Sequence, residues 1–112
     1  MNTGITACML RNIDSTLQCA IRLQASDIHI TPGSAACQVR FRINGILSEV
    51  IELQSDTGRS LVQAFKAEGK MNIAEMRRPQ DARLAKMNMD LRLATHPTLH
   101  GENLVIRLLN TH

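Results

Sequence analysis

Residues 38–53 read Gln-Val-Arg-Phe-Arg-Ile-Asn-Gly-Ile-Leu-Ser-Glu-Val-Ile-Glu-Leu, and this stretch decides the fold class. Val39, Phe41 and Ile43 alternate with Arg40 and Arg42, the period of two that marks a half-buried strand. Asn44-Gly45 separates that run from a second β-branched one. Asn-Gly in this setting signals a two-residue type I′ hairpin, whose two central residues both take positive φ. Such a loop fixes the register. Ile43 faces Ile46, Arg42 faces Leu47, Phe41 faces Ser48 and Arg40 faces Glu49. Val39, Phe41, Ile43, Ile46 and Val50 then share the inward face. On the other face Glu49 gives Arg40 an ion-pair partner worth about 0.2–1 kcal/mol, whereas Arg42 has none and is left for another partner.

Upstream, Ile13, Leu17, Ala20, Ile21 and Gln24 follow helical spacing, with Asn12 or Asp14 as the cap. Residues 27–30, Asp-Ile-His-Ile, alternate like a short strand with Asp27 and His29 outward, and Pro32-Gly33-Ser34 is a turn. Downstream, residues 55–70 read as a helix with Leu61, Val62 and Phe65 inward and Lys66 and Lys70 suited to its C-terminal dipole. Gly69 ends it, and residues 71–76 allow a short turn. Arg77-Arg78-Pro79-Gln80-Asp81 is a polar corner, because Arg78 before proline is pushed out of helix. Residues 83–86 and 89–95 read as strands around Met87-Asn88, 97–101 as a loop, and 103–109 as a nearly all-apolar strand of the central kind. The expected fold is α/β in the α+β sense: an antiparallel sheet with helices packed mainly on one face.

Arg107 interrupts the last strand, as Arg92 interrupts the one before. In a hairpin centred between Leu99 and His100, positions summing to 199 face each other, and Arg92 falls opposite Arg107. Opposed like charges destabilise a sheet. Either the guanidinium groups reach solvent or a carboxylate such as Asp90 or Glu102, or an anion lies against both; a phosphate accepts planar, bidentate hydrogen bonds from such a pair.

Composition bounds the function. The 112 residues fit one domain, 44% apolar, with net charge +3 and pI near 9.1, a mild excess that suits an anionic partner. No apolar run approaches the roughly 18 residues of a membrane span, and the first residues lack the pattern of a signal peptide, so the expected compartment is the cytosol. Cys8, Cys19 and Cys37 form no C-x-x-C pair and read as reduced thiols. His96 and His100 have H-x3-H spacing, but Pro97 breaks a helix between them and no third ligand is evident, so no metal site is expected. Two Phe, no Tyr and no Trp weigh against a nucleic-acid module that stacks bases on aromatic rings.

Four blocks in order, over residues 25–109, resemble the secretion ATPase superfamily, which drives type II secretion and type IV pilus assembly. Ala25-Ser26-Asp27-Ile28-His29-Ile30 is similar to ASDIHIEP. Residues 39–47 resemble VRFRIDGVL, residues 73–83 resemble IAERRLPQDGR, and residues 91–109 resemble LRVSTLPTVHGEKVVMRLL. The resemblance implies that residues 12–112 are the PAS-like accessory domain preceding a RecA-like motor, with residues 1–11 unassigned. It implies a homohexamer in which this domain swings against its own motor domain and neighbouring subunits, on the cytoplasmic side of an inner-membrane platform. It implies that Arg92 and Arg107 contact ATP phosphates while the motor holds Mg²⁺. Asp27, His29, Arg42, Arg77, Arg78, Asp81 and Arg83 become candidates for interdomain or intersubunit contact.

There are departures. Ala82 replaces the glycine of PQDGR, so a turn that needs positive φ would be strained there. The stretch between Asp81 and Asp90 is about four residues shorter than in the family, which implies a clipped hairpin at Met87-Asn88. No G-x-x-x-x-G-K-[ST] occurs in the 112 residues, so no hydrolysis is expected of this stretch alone. Two other readings stand beside this one: a free-standing basic module on nucleic acid, which salt would weaken steeply, and a PAS-like sensor with a co-purifying ligand.

Overall fold

In the computed structural model, which describes residues 4–48 and 51–110, a 3-10 turn at Ala7–Met9 leads into helix α1, Ile13–Leu23. Asn12, not Asp14, caps α1. Its Oδ1 accepts from the Ser15 amide at 2.8 Å, and Ser15 Oγ accepts from the Asn12 amide at 3.2 Å, a reciprocal capping box. The helix stops one residue short of Gln24, which turns left-handed with φ 56°. The amide of Gln24 donates to Ile21 and that of Ala25 to Ala20, the paired bonds of a Schellman motif. Strands β1 (Asp27–Pro32), β2 (Ala36–Ile43), β3 (Ile46–Leu47) and β4 (Ile51–Gln54) follow. Helix α2 (Ser55–Glu68) and strands β5 (Gln80–Lys86), β6 (Met89–Thr98) and β7 (Gly101–Asn110) complete the chain.

All seven strands form one antiparallel sheet in the order β3-β2-β1-β7-β6-β5, with β4 also paired to β2. The α+β expectation therefore holds, and β7 is central, between β1 and β6. One face is apolar: Ile28, Ile30, Val39, Phe41, Leu91, Leu93, Leu104 and Ile106 alternate inward and meet Leu17, Ala20, Leu61, Val62 and Phe65 of the helices. Ile5 and Leu10 join the same core, which ties residues 4–11 to the body.

The Asn44-Gly45 turn has φ values of 54° and 80°, and Arg42 pairs with Leu47 and Ile43 with Ile46, as the hairpin rule requires. Two expectations fail around it. Ile46 is 71% exposed, because it sits at the hairpin tip on the outermost strand. Val39 faces Ile51, one residue beyond the Val50 that a continuous register demands, and Ile51 is the buried residue. Glu49 and Val50, and with them the expected Arg40–Glu49 pair, lie outside the described residues.

At the other end of the sheet, residues 97–101 are not a loop. Strand β6 continues to Thr98, Thr98 pairs with Gly101, and only Leu99 and His100 turn. Proline is tolerated at position 97 because β5 pairing ends at Thr95, leaving that side of β6 an edge. A two-residue hairpin turns at the expected place: Lys86 pairs with Met89, and Met87 and Asn88 both have positive φ. Ala82 is not strained. It lies in regular β5 opposite Leu93 and is absent from the positive-φ residues, so no special turn forms there.

Candidate functional site

Away from the helices, one row of side chains crosses five strands. Arg83 of β5 is opposite Arg92 of β6, Arg92 opposite Arg107 of β7, Arg107 opposite Asp27 of β1, and Asp27 opposite Arg42 of β2. The alternation that sends Leu91, Leu93 and Ile106 inward sends all five to the open face. The register expected for β6 and β7 is thus the observed one, and it extends to a third arginine.

Asp27 organises the row. It is 3% exposed, and its two oxygens are shared. Oδ1 accepts from Arg107 Nε at 3.0 Å and Oδ2 lies 3.2 Å from Arg42 Nε; Ser26 Oγ also reaches Oδ2 at 3.3 Å. A buried carboxylate needs such partners. Arg42 is therefore not free, since its NH1 also donates to Gly45 O at 3.0 Å. The counter-charge of Arg107 is Asp27, not Asp90 or Glu102. This pairing was hidden in the sequence because the partners are 80 positions apart, on strands whose adjacency no local pattern sets.

Arg107 uses only Nε on Asp27, so its two terminal nitrogens remain available, and its side chain is 63% exposed. The side chains of Arg83 and Arg92, both residues exposed, have no ion-pair or hydrogen-bond partner among the described residues. Together the three border a groove of about 500 Å³, lined also by Asp81, His96 and Val105. His29 lies one step along, opposite Arg40 and Val105. Burial pushes its imidazole below the ordinary value; Asp27 pulls it up, and Arg42, Arg40 and Arg107 add to the lowering. Arg77 and Arg78 are exposed on the α2–β5 loop, outside the row.

A second polar centre went unread. Lys66, expected to serve the dipole of α2, is fully buried. Its Nζ donates to both oxygens of Glu102 at 2.8 and 3.0 Å and to the Glu75 carbonyl at 3.1 Å. Gln80 Nε2 donates to the carbonyls of Asn72 and Glu75, and its Oε1 accepts from the Asn72 amide. The 71–79 loop is thereby held against α2 and the start of β7. The signal was present: Lys66 follows Val62 by four residues, on the apolar stripe, where a lysine demands a buried acid.

The Type II/IV secretion system protein family matches residues 4–112. The chain belongs to that family. Similar relatives include a type II secretion system protein E of Xanthomonas campestris pv. campestris, 39% identical over 91% of this chain and 19% of its own length. The type IV pilus assembly ATPase TfpB of Acinetobacter baylyi is 37% identical over 91% of the chain and 18% of its own. The protein transport protein HofB homolog of Escherichia coli K12 is 42% identical over 84% and 21%. This member of the secretion family thus spans about a fifth of the length of these relatives. None of its helices among the described residues is long and apolar enough to cross a membrane.

Proposed function

We propose that this chain is an accessory domain of a hexameric, cytoplasmic ATPase that powers type II secretion or type IV pilus assembly, and that Arg92 and Arg107 contact the phosphates of bound ATP. The observation that supports this is the directly opposed Arg92–Arg107 pair; among the described residues the Arg92 side chain has no ion-pair partner and only Nε of Arg107 meets a carboxylate. Such a pair is costly without an anion and well suited to one.

Arginines in this position stabilise charge on a transferring phosphoryl group, and that is a supporting role. The phosphate cradle and the nucleophile's orientation belong to a motor with a P-loop, which these 112 residues lack. Mg²⁺ is assigned to that motor as well, because a P-loop Ser or Thr hydroxyl is what holds it beside the phosphates. Arg77, Arg78 and Asp81, exposed beside the row, are proposed to meet the motor or a neighbouring subunit.

The test is ATP turnover with Mg²⁺ by the 112-residue chain, beside the longest polypeptide its reading frame encodes. The proposal expects turnover only in the longer protein. Turnover by the 112 residues, with contaminants excluded, contradicts it.

A further inference from the structure

The open-face row contains more positive charge than a two-arginine contact uses. Arg83, on the edge strand β5, is directly opposite Arg92, borders the same groove and has no partner among the described residues. Two like-charged cross-strand pairs in one row, Arg83–Arg92 and Arg92–Arg107, both oppose folding. Asp27 offsets only one end, because its oxygens are taken by Arg107 and Arg42. Asp81 lies on the same face, two residues from Arg83, yet makes no ion pair with Arg83 or Arg92.

Geometry sets the shape of the anion. Neighbouring strands lie about 4.8 Å apart, so the backbone positions of Arg83 and Arg107 are separated by about 10 Å with Arg92 between them. Asp27 anchors the Nε of Arg107 toward β1, away from Arg92, so the anion contacts of Arg107 and Arg83 fall on opposite sides of Arg92. One phosphate group fits beside Arg92 and one neighbour; a chain of phosphates fits all three.

We infer that Arg83 is a third phosphate contact, and that the row Arg83–Arg92–Arg107 selects an elongated polyphosphate, such as the triphosphate of a nucleotide, over shorter anions. This rests on the phosphate-contact reading of Arg92 and Arg107. Each added arginine contributes a charge-assisted, bidentate interaction, so affinity rises with the number of phosphate groups.

The experiment titrates the 112-residue chain, without metal and at fixed ionic strength, with inorganic orthophosphate, pyrophosphate and tripolyphosphate, read by calorimetry. The wild type is expected to bind tripolyphosphate tightest. Arg83→Ala is expected to weaken tripolyphosphate about tenfold and orthophosphate, which needs only one neighbour of Arg92, much less, with Arg83→Lys between. Arg92→Ala and Arg107→Ala weaken all three anions. Arg22→Ala removes the same charge from exposed α1 and is expected to change none, which separates a site from bulk attraction. Equal tripolyphosphate affinity in Arg83→Ala and wild type overturns the role of Arg83 while the two-arginine reading stands. No effect of Arg92→Ala and Arg107→Ala overturns both.

Discussion

Asp27 shows how a single residue converts charge repulsion into a fixed geometry. Two strands bring arginines to it from either side, and the carboxylate holds one nitrogen of each. Asp27→Asn keeps the shape and removes the charge. Both arginines are partly exposed and regain water, so the cost is set nearer an exposed pair than a fully buried one, about 1–2 kcal/mol in denaturant unfolding. No measurable change would contradict the organising role given to Asp27. His29, one step along the same face, makes a pH prediction. Its folded pKa is lowered, chiefly by burial and against the pull of Asp27, so the unfolded chain binds the proton more readily. Its contribution to stability is therefore present above about pH 6.5 and lost as pH falls through the lower folded value. Wild type is expected to lose more stability than His29→Gln as pH drops below 6.5, and parallel pH curves would contradict this. At this scale the sequence announced Arg92 and Arg107 as uncomfortable, because an arginine inside an apolar run is visible locally. It did not announce Asp27 as the anchor of Arg107, because that depends on β1 lying beside β7.

Among the elements, hairpins were the most legible. Asn44-Gly45 names its turn through the φ values it must adopt, and the strands it joins follow. What the sequence concealed is close approach. At Gly58 of α2 an added Cβ would lie 2.4 Å from Cys37 Cβ and 2.5 Å from its Sγ on β2. Helix and sheet touch there because neither has bulk, and no spacing pattern reports a contact across elements. Gly58→Ala would ordinarily favour a helix, but here it must push α2 off the sheet, with an expected net loss of about 1–3 kcal/mol. A gain in stability would mean that α2 can shift freely. Met87 is the opposite case. Its positive φ of 55° suits asparagine far better than methionine, so Met87→Asn is expected to raise stability by about 0.5–1 kcal/mol, and a loss would show that the methionine side chain matters there.

For the whole molecule, one face of the sheet is a core and the other is charge, and the buried Lys66–Glu102 pair ties α2 to the start of β7. Glu102→Gln leaves the ammonium of Lys66 buried against a neutral amide, and about 3 kcal/mol or more of stability is expected to go. Lys66→Met with Glu102→Leu is expected to recover most of that loss. Equal loss in the single and double variants would contradict the view that the uncompensated charge is what costs. Layering, strand order near the Asn-Gly hairpin and the β6–β7 register follow from alternation and turns, and so were legible. The buried ion pair and the Asp27 anchor come from long-range packing, and so were not. The measurement closest to the central claim is steady-state ATP hydrolysis by the longest polypeptide of this reading frame, carrying Arg92→Ala or Arg107→Ala. If these side chains face the phosphates, kcat falls about 10²–10³-fold in each variant while the assembly stays intact. Unchanged kcat in both, with the domain folded, contradicts the phosphate contact and leaves the arginine row without its proposed role.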